Sequence, residues 1–441
     1  MITKVKGTQD FIDTSLLNFI TTQSIKHLKE YNFNQIETPI IEHTELFKRS
    51  LGLHTDVVSK EMFLISSKDE DSICLRPEVT APAVRAFIEN NIQQLPWKVF
   101  IIGPMFRYER PQKGRFRQFH QIDIEIIGTS SIMQDALLIK MLDELFKNKF
   151  KLNNYTLLLN FLGCYQDREK FNEVLKKFLD SVSDKICSNC IERKTKNPLR
   201  IYDCKVPTCI EIYKNAPSTT DYLCTHCKQE WDLLQNTIES ISVPFKHSKT
   251  LVRGLDYYDK TVFEFSSTDL GAQNAFCGGG RYDRLVKEID SNKDQPAVGA
   301  AIGIERLMLL LENKKDLPIA KQSDLNLILP LSPKQHTLAL SLANALHSSS
   351  YAADILTAND SFNWTIDVLF EEDSSVKSLM RKANKMGAKF CLILGDEEES
   401  NKEVTVKNMI TGEEKKIHQT NLIEYLKLCN FLDRLPKPEK K

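Results

Sequence analysis

The 441-residue sequence predicts an α+β domain with a mixed, largely antiparallel sheet, a small cysteine-rich domain inserted within it, and a C-terminal α/β domain. Three observations carry this reading. Apolar runs at Val99–Ile102 and Ile122–Ile127 flank a polar stretch with Pro111 and Gly114 in its middle, the pattern of two buried strands joined by a long loop. Residues 164–245 break the strand pattern with closely spaced cysteines. After about Leu317, short apolar strands alternate with amphipathic helices, the signature of a parallel sheet. The domains are therefore placed at 1–320, with the insertion at 164–245, and at 321–441.

In chain order, Leu16, Phe19, Ile20, Ile25, Leu28 and Tyr31 have helical spacing over residues 15–31. An extended segment, Ile36–Glu42, follows. Ser131–Phe150 is an amphipathic helix with Ser131 placed to cap it. Strands are expected at Tyr155–Asn160, Thr261–Ser266, Gln273–Cys277 and Ala297–Ile302. In the last domain, Leu325–Leu329 and Lys389–Gly395 read as buried strands, and Pro333–Ser348 and Val376–Met386 as helices. The Pro/Lys-rich tail, Leu435–Lys441, is expected to be disordered.

Basic and acidic residues balance at 59 each, so any footprint for a polyanion must be local. No apolar run approaches the ~20 residues needed to cross a bilayer, and the N-terminus has neither a signal-peptide core nor a transit leader. The cytoplasm is the expected compartment, with no membrane partner. Eleven cysteines in that setting point to free thiols or a metal site rather than disulfides.

The loop between the two central strands is the densest chemical signal. It holds Arg107, Arg110, Lys113, Arg115 and Arg117, a set suited to phosphates. The return strand brings Gln121 and Glu125. A lone carboxylate on a buried strand is costly unless a partner meets it.

This stretch resembles motif 2 of class II aminoacyl-tRNA synthetases, in the histidyl form. The resemblance spans nearly the whole chain. It includes Lys6–Phe11, Arg76–Ala81, the histidine-specific peptide Leu251–Tyr258, Gly278–Asp283 and the Gly299–Leu307 segment. It implies a ligase that forms histidyl-adenylate from histidine and ATP with Mg²⁺, then esterifies histidine tRNA. It also makes the first helix and strand a homodimer element, and the C-terminal domain the anticodon-binding one.

The same resemblance implies residue roles. Arg107 and Arg253 are the catalytic cations, flanking the α-phosphate. Glu78, Thr80 and Gln121 bind the α-amino group of histidine. Glu125, Tyr257, Tyr258 and Tyr282 line the imidazole pocket, with Arg253 near the substrate carboxylate. Glu109, Arg115, Phe119 and Arg306 join Arg107 around ATP, Arg306 at the γ-phosphate. Arg110, Gln112 and Lys113 at the loop tip face the tRNA acceptor stem. Bland alternatives exist: a surface ion pair of Arg107 with Glu109 or Glu125, a structural pair of Arg253 with Asp256, and a solvated face for the basic helix carrying Lys377, Arg381, Lys382 and Lys385. Two positions depart from the usual motifs. Val79 replaces a glycine, so its side chain must point away from substrate, and Tyr108 stands where histidine is common.

The insertion contains Cys187-x₂-Cys190 and Cys224-x₂-Cys227. Such pairs can close a tetrahedral structural Zn²⁺ site. Cys204, Cys209 and His226 are spare ligands, and free thiols in a helical insertion are the alternative.

The rivals are a non-catalytic paralogue on the same fold, acting as a regulatory subunit or tRNA sensor, and a class II synthetase for threonine or proline.

Overall fold

The computed structural model describes residues 1–434 except 53, 54, 56, 67–71, 272, 273, 315, 319–323, 357–363 and 372–374. The expected tail at 435–441, and Gln273 of one expected strand, lie outside the described residues. The chain divides into two units, Met1–Ile319 and Ala320–Lys441.

The first unit is built on an eight-stranded sheet. Its strands are β1 (Asn34–Gln35), β2 (Trp97–Phe106), β3 (Gln118–Ile127), β4 (Thr156–Phe161), β5 (Phe245–His247), β6 (Asp259–Ser266), β7 (Ala275–Arg281) and β8 (Ala297–Gly303). Their spatial order is β1-β2-β3-β8-β7-β6-β4-β5. Only the two edge pairs, β1 with β2 and β4 with β5, are parallel. The long β2–β3 hairpin is paired from Trp97↔Ile127 to Phe106↔Gln118. The cationic loop therefore projects from one end of the sheet.

One face of the sheet is packed by helices. Ile122, Ile124 and Ile126 point into a core shared with Phe19, Ile20 and Leu28 of the first helix, Ser15–Glu30. The extended segment expected at Ile36–Glu42 is strand only at its end: residues 36–40 are irregular, Asn34–Gln35 just before them pairs with β2, and Ile41–His43 joins a small sheet with Phe63–Ile65 and Ile73–Leu75. The helix expected over 131–150 runs as Ile132–Glu144 and then widens into one π turn, Leu145–Lys149. Ser131 has the extended backbone of a cap, but its side chain makes no capping hydrogen bond. Its carbonyl instead accepts from Arg281 at 3.1 Å.

That arginine is fully buried. It donates to Asp135, Asp283 and the carbonyls of Thr129 and Ser131, so its buried charge is met by two carboxylates and two carbonyls. The cluster pins the end of β7 to the helix behind the sheet.

The insertion is helical: Tyr165–Ser181, Ser188–Lys196, Pro207–Tyr213 and Thr225–Ser240, with a short 3₁₀ turn at Pro198–Asp203. Part of it has its own core, formed by Phe171, Leu175, Leu179, Ile201 and Tyr213.

In the second unit, β9 (Asp324–Pro330), β10 (Trp364–Val368) and β11 (Ala388–Leu394) are parallel in the order β10-β9-β11. The sequence reading of a parallel sheet holds for these three strands. A hairpin, β12 (Glu403–Asn408) and β13 (Glu414–His418), extends it antiparallel. In the basic helix, Val376–Lys385, Leu379 and Ala383 are buried, and Lys382 pairs with Glu371 at 2.5 Å.

Removing one member of the buried cluster should leave an uncompensated charge. Asp135→Ala is expected to cost about 3–5 kcal/mol, read as a lowered denaturation midpoint of the first unit.

Candidate active site

The site starts from the pleat of β3. Successive side chains alternate across a strand, so Gln121, Asp123 and Glu125 share the face opposite the three isoleucines. The neighbouring strand β8 sets Gly303, Ala301 and Gly299 against them in register. At Gly299 an added Cβ would lie 1.8 Å from Glu125 Oε2. Glycine is required there because the carboxylate occupies the space of its missing side chain.

Glu125 is held by Thr80, whose hydroxyl donates to Oε1 at 2.7 Å, and by the hydroxyl of Tyr282. Burial pushes its carboxyl pKa well above the usual range, against the pull of those two hydrogen bonds, and the charges of Asp123 and Glu78 push the same way. Asp123 is raised well above its usual range too, by burial and then by Glu78. Glu78 accepts the backbone N–H groups of Thr80 at 2.8 Å and Ala81 at 3.0 Å, at the start of the helix Thr80–Glu89. Three carboxylates thus crowd one end of the site, and each disfavours ionisation of the others.

Val79 points away, into a small core with Ala83, Ile101 and Met105. The replacement of glycine at this position leaves the substrate face unobstructed.

The other end is cationic. Arg107 donates to the Pro77 carbonyl at 2.9 Å and lies 5.3 Å over the Phe119 ring. It forms neither of the ion pairs considered for it. Glu109 is taken instead by Arg115. Arg306 is split between two carbonyls, of Ala275 at 2.6 Å and of Gly114 at 3.1 Å. Burial, then the charges of Arg115 and Arg107, lowers its pKa to about 10. The charge of Glu264 opposes that shift without cancelling it.

Arg253 bonds Glu264 at 2.9 Å, so its partner is not Asp256. Its guanidinium fills the space in front of Gly278, where a Cβ would sit 2.4 Å from Nη1. Asp256 is engaged by Arg200 and Asn197 of the insertion.

These groups face one cleft of about 440 Å³. Glu78, Thr80, Arg107, Glu109, Arg115, Phe119, Gln121, Arg253, Tyr257, Tyr258 and Arg306 all line it. Glu125 and Tyr282 lie directly behind, joined to it through Thr80. The rings of Tyr257 and Tyr258 are 4.7 Å apart, and Tyr282 meets Tyr257 edge-on at 5.5 Å. Arg110, Gln112 and Lys113 stand exposed at the loop tip, outside the lining, where a tight turn joins Gln112 and Arg115 and Gly114 adopts φ +70°. Tyr108 is exposed too, stacked under Arg117 at 3.8 Å. Among the described residues, buried Gln121 Oε1, Asp123 Oδ2 and Arg253 Nε have no hydrogen-bond partner. Buried polar atoms without partners are rare, and here they edge a cleft able to admit a polar ligand.

Sequence reasoning missed Asp123, Glu264, Glu305 and four insertion residues, Arg193, Arg200, Asp203 and Lys205. Glu264 is a lone acid on an apolar strand, the same signal that singled out Glu125. Glu305 accepts the backbone N–H of His120 at 2.9 Å and contacts its Nδ1 at 2.9 Å, tying β3 to the helix Ile304–Leu311. The insertion residues reach the cleft only through tertiary folding.

The cysteine quartet expected from sequence does not form. Cys187 and Cys190 gather with Cys204 and Cys209, whereas Cys224 and Cys227 gather with Cys164 and Asp167. Each C-x₂-C pair sits at the start of a different helix, Ser188–Lys196 or Thr225–Ser240, so sequence spacing alone paired the wrong partners. His226 is exposed and faces Glu230 at 3.5 Å.

Comparison with known proteins agrees with this geometry. Residues 63–315 match the tRNA synthetase class II core domain (G, H, P, S and T), and residues 326–428 match the anticodon binding domain. Fold and site thus define a class II aminoacyl-tRNA synthetase. The chain is 41% identical over 424 residues to a histidine–tRNA ligase of Halothermothrix orenii, covering 95% of this chain and 97% of that one. It is 38% identical over 425 residues to that of Aquifex aeolicus, covering 96% and 100%. The crystal structure of the apo S. aureus histidyl-tRNA synthetase superposes with TM-score 0.76 at 31% identity, covering 97% and 100%. The chain belongs to the histidine–tRNA ligase family.

Adding one methyl group at Gly299 should displace the Glu125 carboxylate. Gly299→Ala is expected to lower kcat/KM for histidine by on the order of 10²-fold, measured by steady-state activation kinetics on folded protein.

Proposed function

We propose that the charge-divided cleft joins histidine to ATP and then to tRNA, with the roles below carried by this chain's own residues. The observation that supports it is a cleft with the buried carboxylates Glu78, Asp123 and Glu125 at one end and, at the other, Arg107 and Arg306, whose hydrogen bonds go to carbonyls. An amino acid fits that polarity with its ammonium toward Glu78, Thr80 and Gln121 and its carboxylate toward Arg253. The imidazole fits among Tyr257, Tyr258 and Tyr282, with an N–H donated to Glu125.

The triphosphate lies toward the arginines. Arg107 and Arg253 hold the α-phosphate from two sides, and Arg306, whose hydrogen bonds go to the carbonyls of Ala275 and Gly114, takes the γ-phosphate. Arg115 and Glu109 frame the nucleotide, and the face of Phe119 not covered by Arg107 receives adenine. A histidine carboxylate oxygen attacks the α-phosphorus, and the bond to pyrophosphate breaks. The terminal ribose hydroxyl of tRNA then attacks the acyl carbon, and AMP leaves. No protein nucleophile is needed; positioning and charge stabilisation do the catalysis.

Mg²⁺ suits the site as a companion of ATP. Mg²⁺ commonly binds through phosphates with one or two carboxylates. It would supply charge neutralisation on the triphosphate.

Arg110, Gln112 and Lys113 are exposed where an acceptor stem would meet the loop, and the basic helix Val376–Lys385 suits the anticodon. A homodimer is supported by exposed Ile40, Ile41 and Leu64 around the small three-stranded sheet. A structural Zn²⁺ in the insertion belongs to the same reading. The cytoplasm is the compartment assigned, because ATP and tRNA are pooled there. Among the described residues no helix is long and apolar enough to cross a membrane.

The test is ATP–pyrophosphate exchange across a panel of amino acids without tRNA. Exchange with histidine alone is expected. A folded preparation that exchanges with none would sink the reading and leave the non-catalytic paralogue. In the same assay Arg253→Gln should lower kcat by about 10²–10³-fold, with thermal stability near that of the parent.

A further inference from the structure

We infer that Cys187, Cys190, Cys204 and Cys209 form a closed tetrathiolate zinc centre that fixes the insertion against the active-site peptide carrying Arg253. The metal site stands on its own geometry. Only its consequence at Arg253 rests on the catalytic reading given above.

The four sulfurs all lie within 4.8 Å of one another. A Zn–S bond of about 2.3 Å puts the corners of a tetrahedron about 3.8 Å apart. The Sγ atoms of Cys187 and Cys204 are 3.8 Å apart. That separation is far beyond a disulfide bond of about 2.05 Å, and all four cysteines are unbridged.

The surrounding backbone is arranged for thiolates. The N–H of Cys187 donates to Cys209 Sγ at 3.3 Å, and that of Val206 donates to Cys204 Sγ at 3.5 Å. Such N–H···S bonds are the outer layer that orients metal-bound sulfur. Cys190, Cys204 and Cys209 are buried and Cys187 is half-buried, so four ligands close the shell with no open position. A closed sulfur shell is structural rather than catalytic. The second cluster is a poorer match. Its fourth member, Asp167, already accepts the backbone N–H groups of Cys224 at 3.0 Å and Cys164 at 3.3 Å.

The centre holds both ends of the segment from Cys190 to Cys204. That segment braces the active site directly. Arg200 donates to the Gly254 carbonyl at 2.6 Å and to Asp256 at 3.2 Å, and Asn197 donates to Asp256 at 2.8 Å. Gly254 directly follows Arg253, and Asp256 lies two residues further on. Arg200 and Asn197 are thus positioning residues, and the metal fixes the loop they stand on.

The test measures metal in the full-length chain purified under reducing conditions without chelator. At least one zinc per chain is expected. Cys204→Ser/Cys209→Ser should lose one equivalent that Cys224→Ser/Cys227→Ser retains. No metal in the parent, iron in place of zinc, or an unchanged content in the first variant would overturn the proposal. If the first variant does not fold, X-ray absorption on the parent decides. Four sulfurs at about 2.3 Å support the site, and a single zinc bound by three sulfurs and one oxygen refutes it. Stripping the metal should also raise amide hydrogen exchange in 197–204 and 252–256 together. A rise confined to the insertion would remove the brace to Arg253. None of these readouts depends on histidine-dependent exchange, so failure of the metal site and failure of the ligase reading remain distinct.

Discussion

The pairing of β3 with β8 is the constraint on which the site depends. Strand β3 carries isoleucines on one face and Gln121, Asp123 and Glu125 on the other. The apolar face locks the register, because a slip of one residue would turn the carboxylates into the core. With that register fixed, Gly299 lies opposite Glu125 and leaves it room. The hydrophobic half of the strand therefore enforces the geometry of the polar half. Arg281 performs a similar service at the far end of β7, where its buried charge ties the sheet to the helix behind it.

Around this strand Glu78, Asp123 and Glu125 are buried close together, and burial with the charge of Glu78 pushes Asp123 and Glu125 well above the usual range. At the other end Arg107 and Arg306 hydrogen-bond carbonyls, while Arg115 and Arg253 are met by Glu109 and Glu264.

Much of this was legible in the sequence because local patterns carry it. The β2–β3 hairpin, its cationic loop and the lone Glu125 are all visible in period-two alternation and charge. Val79 was read as pointing away, and its packing against Ala83, Ile101 and Met105 agrees. What sequence did not reveal is pairing across distance. The bland alternative for Arg253 was a pair with nearby Asp256, whereas its guanidinium meets Glu264 from another strand. Two C-x₂-C motifs were joined to each other, although each finds its partners elsewhere in a helical insertion. Asp123 was passed over because its acidity alternates with a core face, and only the register shows it unpartnered.

Arg306 has a further consequence. One of its N–H groups serves the carbonyl of Gly114, at the turn of the cationic loop. The same guanidinium faces the anionic end of the expected nucleotide. A planar fork has a fixed set of donors in fixed directions, so turning toward a phosphate changes its hold on the turn. The cleft-lining guanidinium is thus mechanically linked to the turn that carries Arg110, Gln112 and Lys113, one to four residues before Gly114. The cleft and the loop tip share a hinge pin, so a change in what the guanidinium holds is carried to the turn.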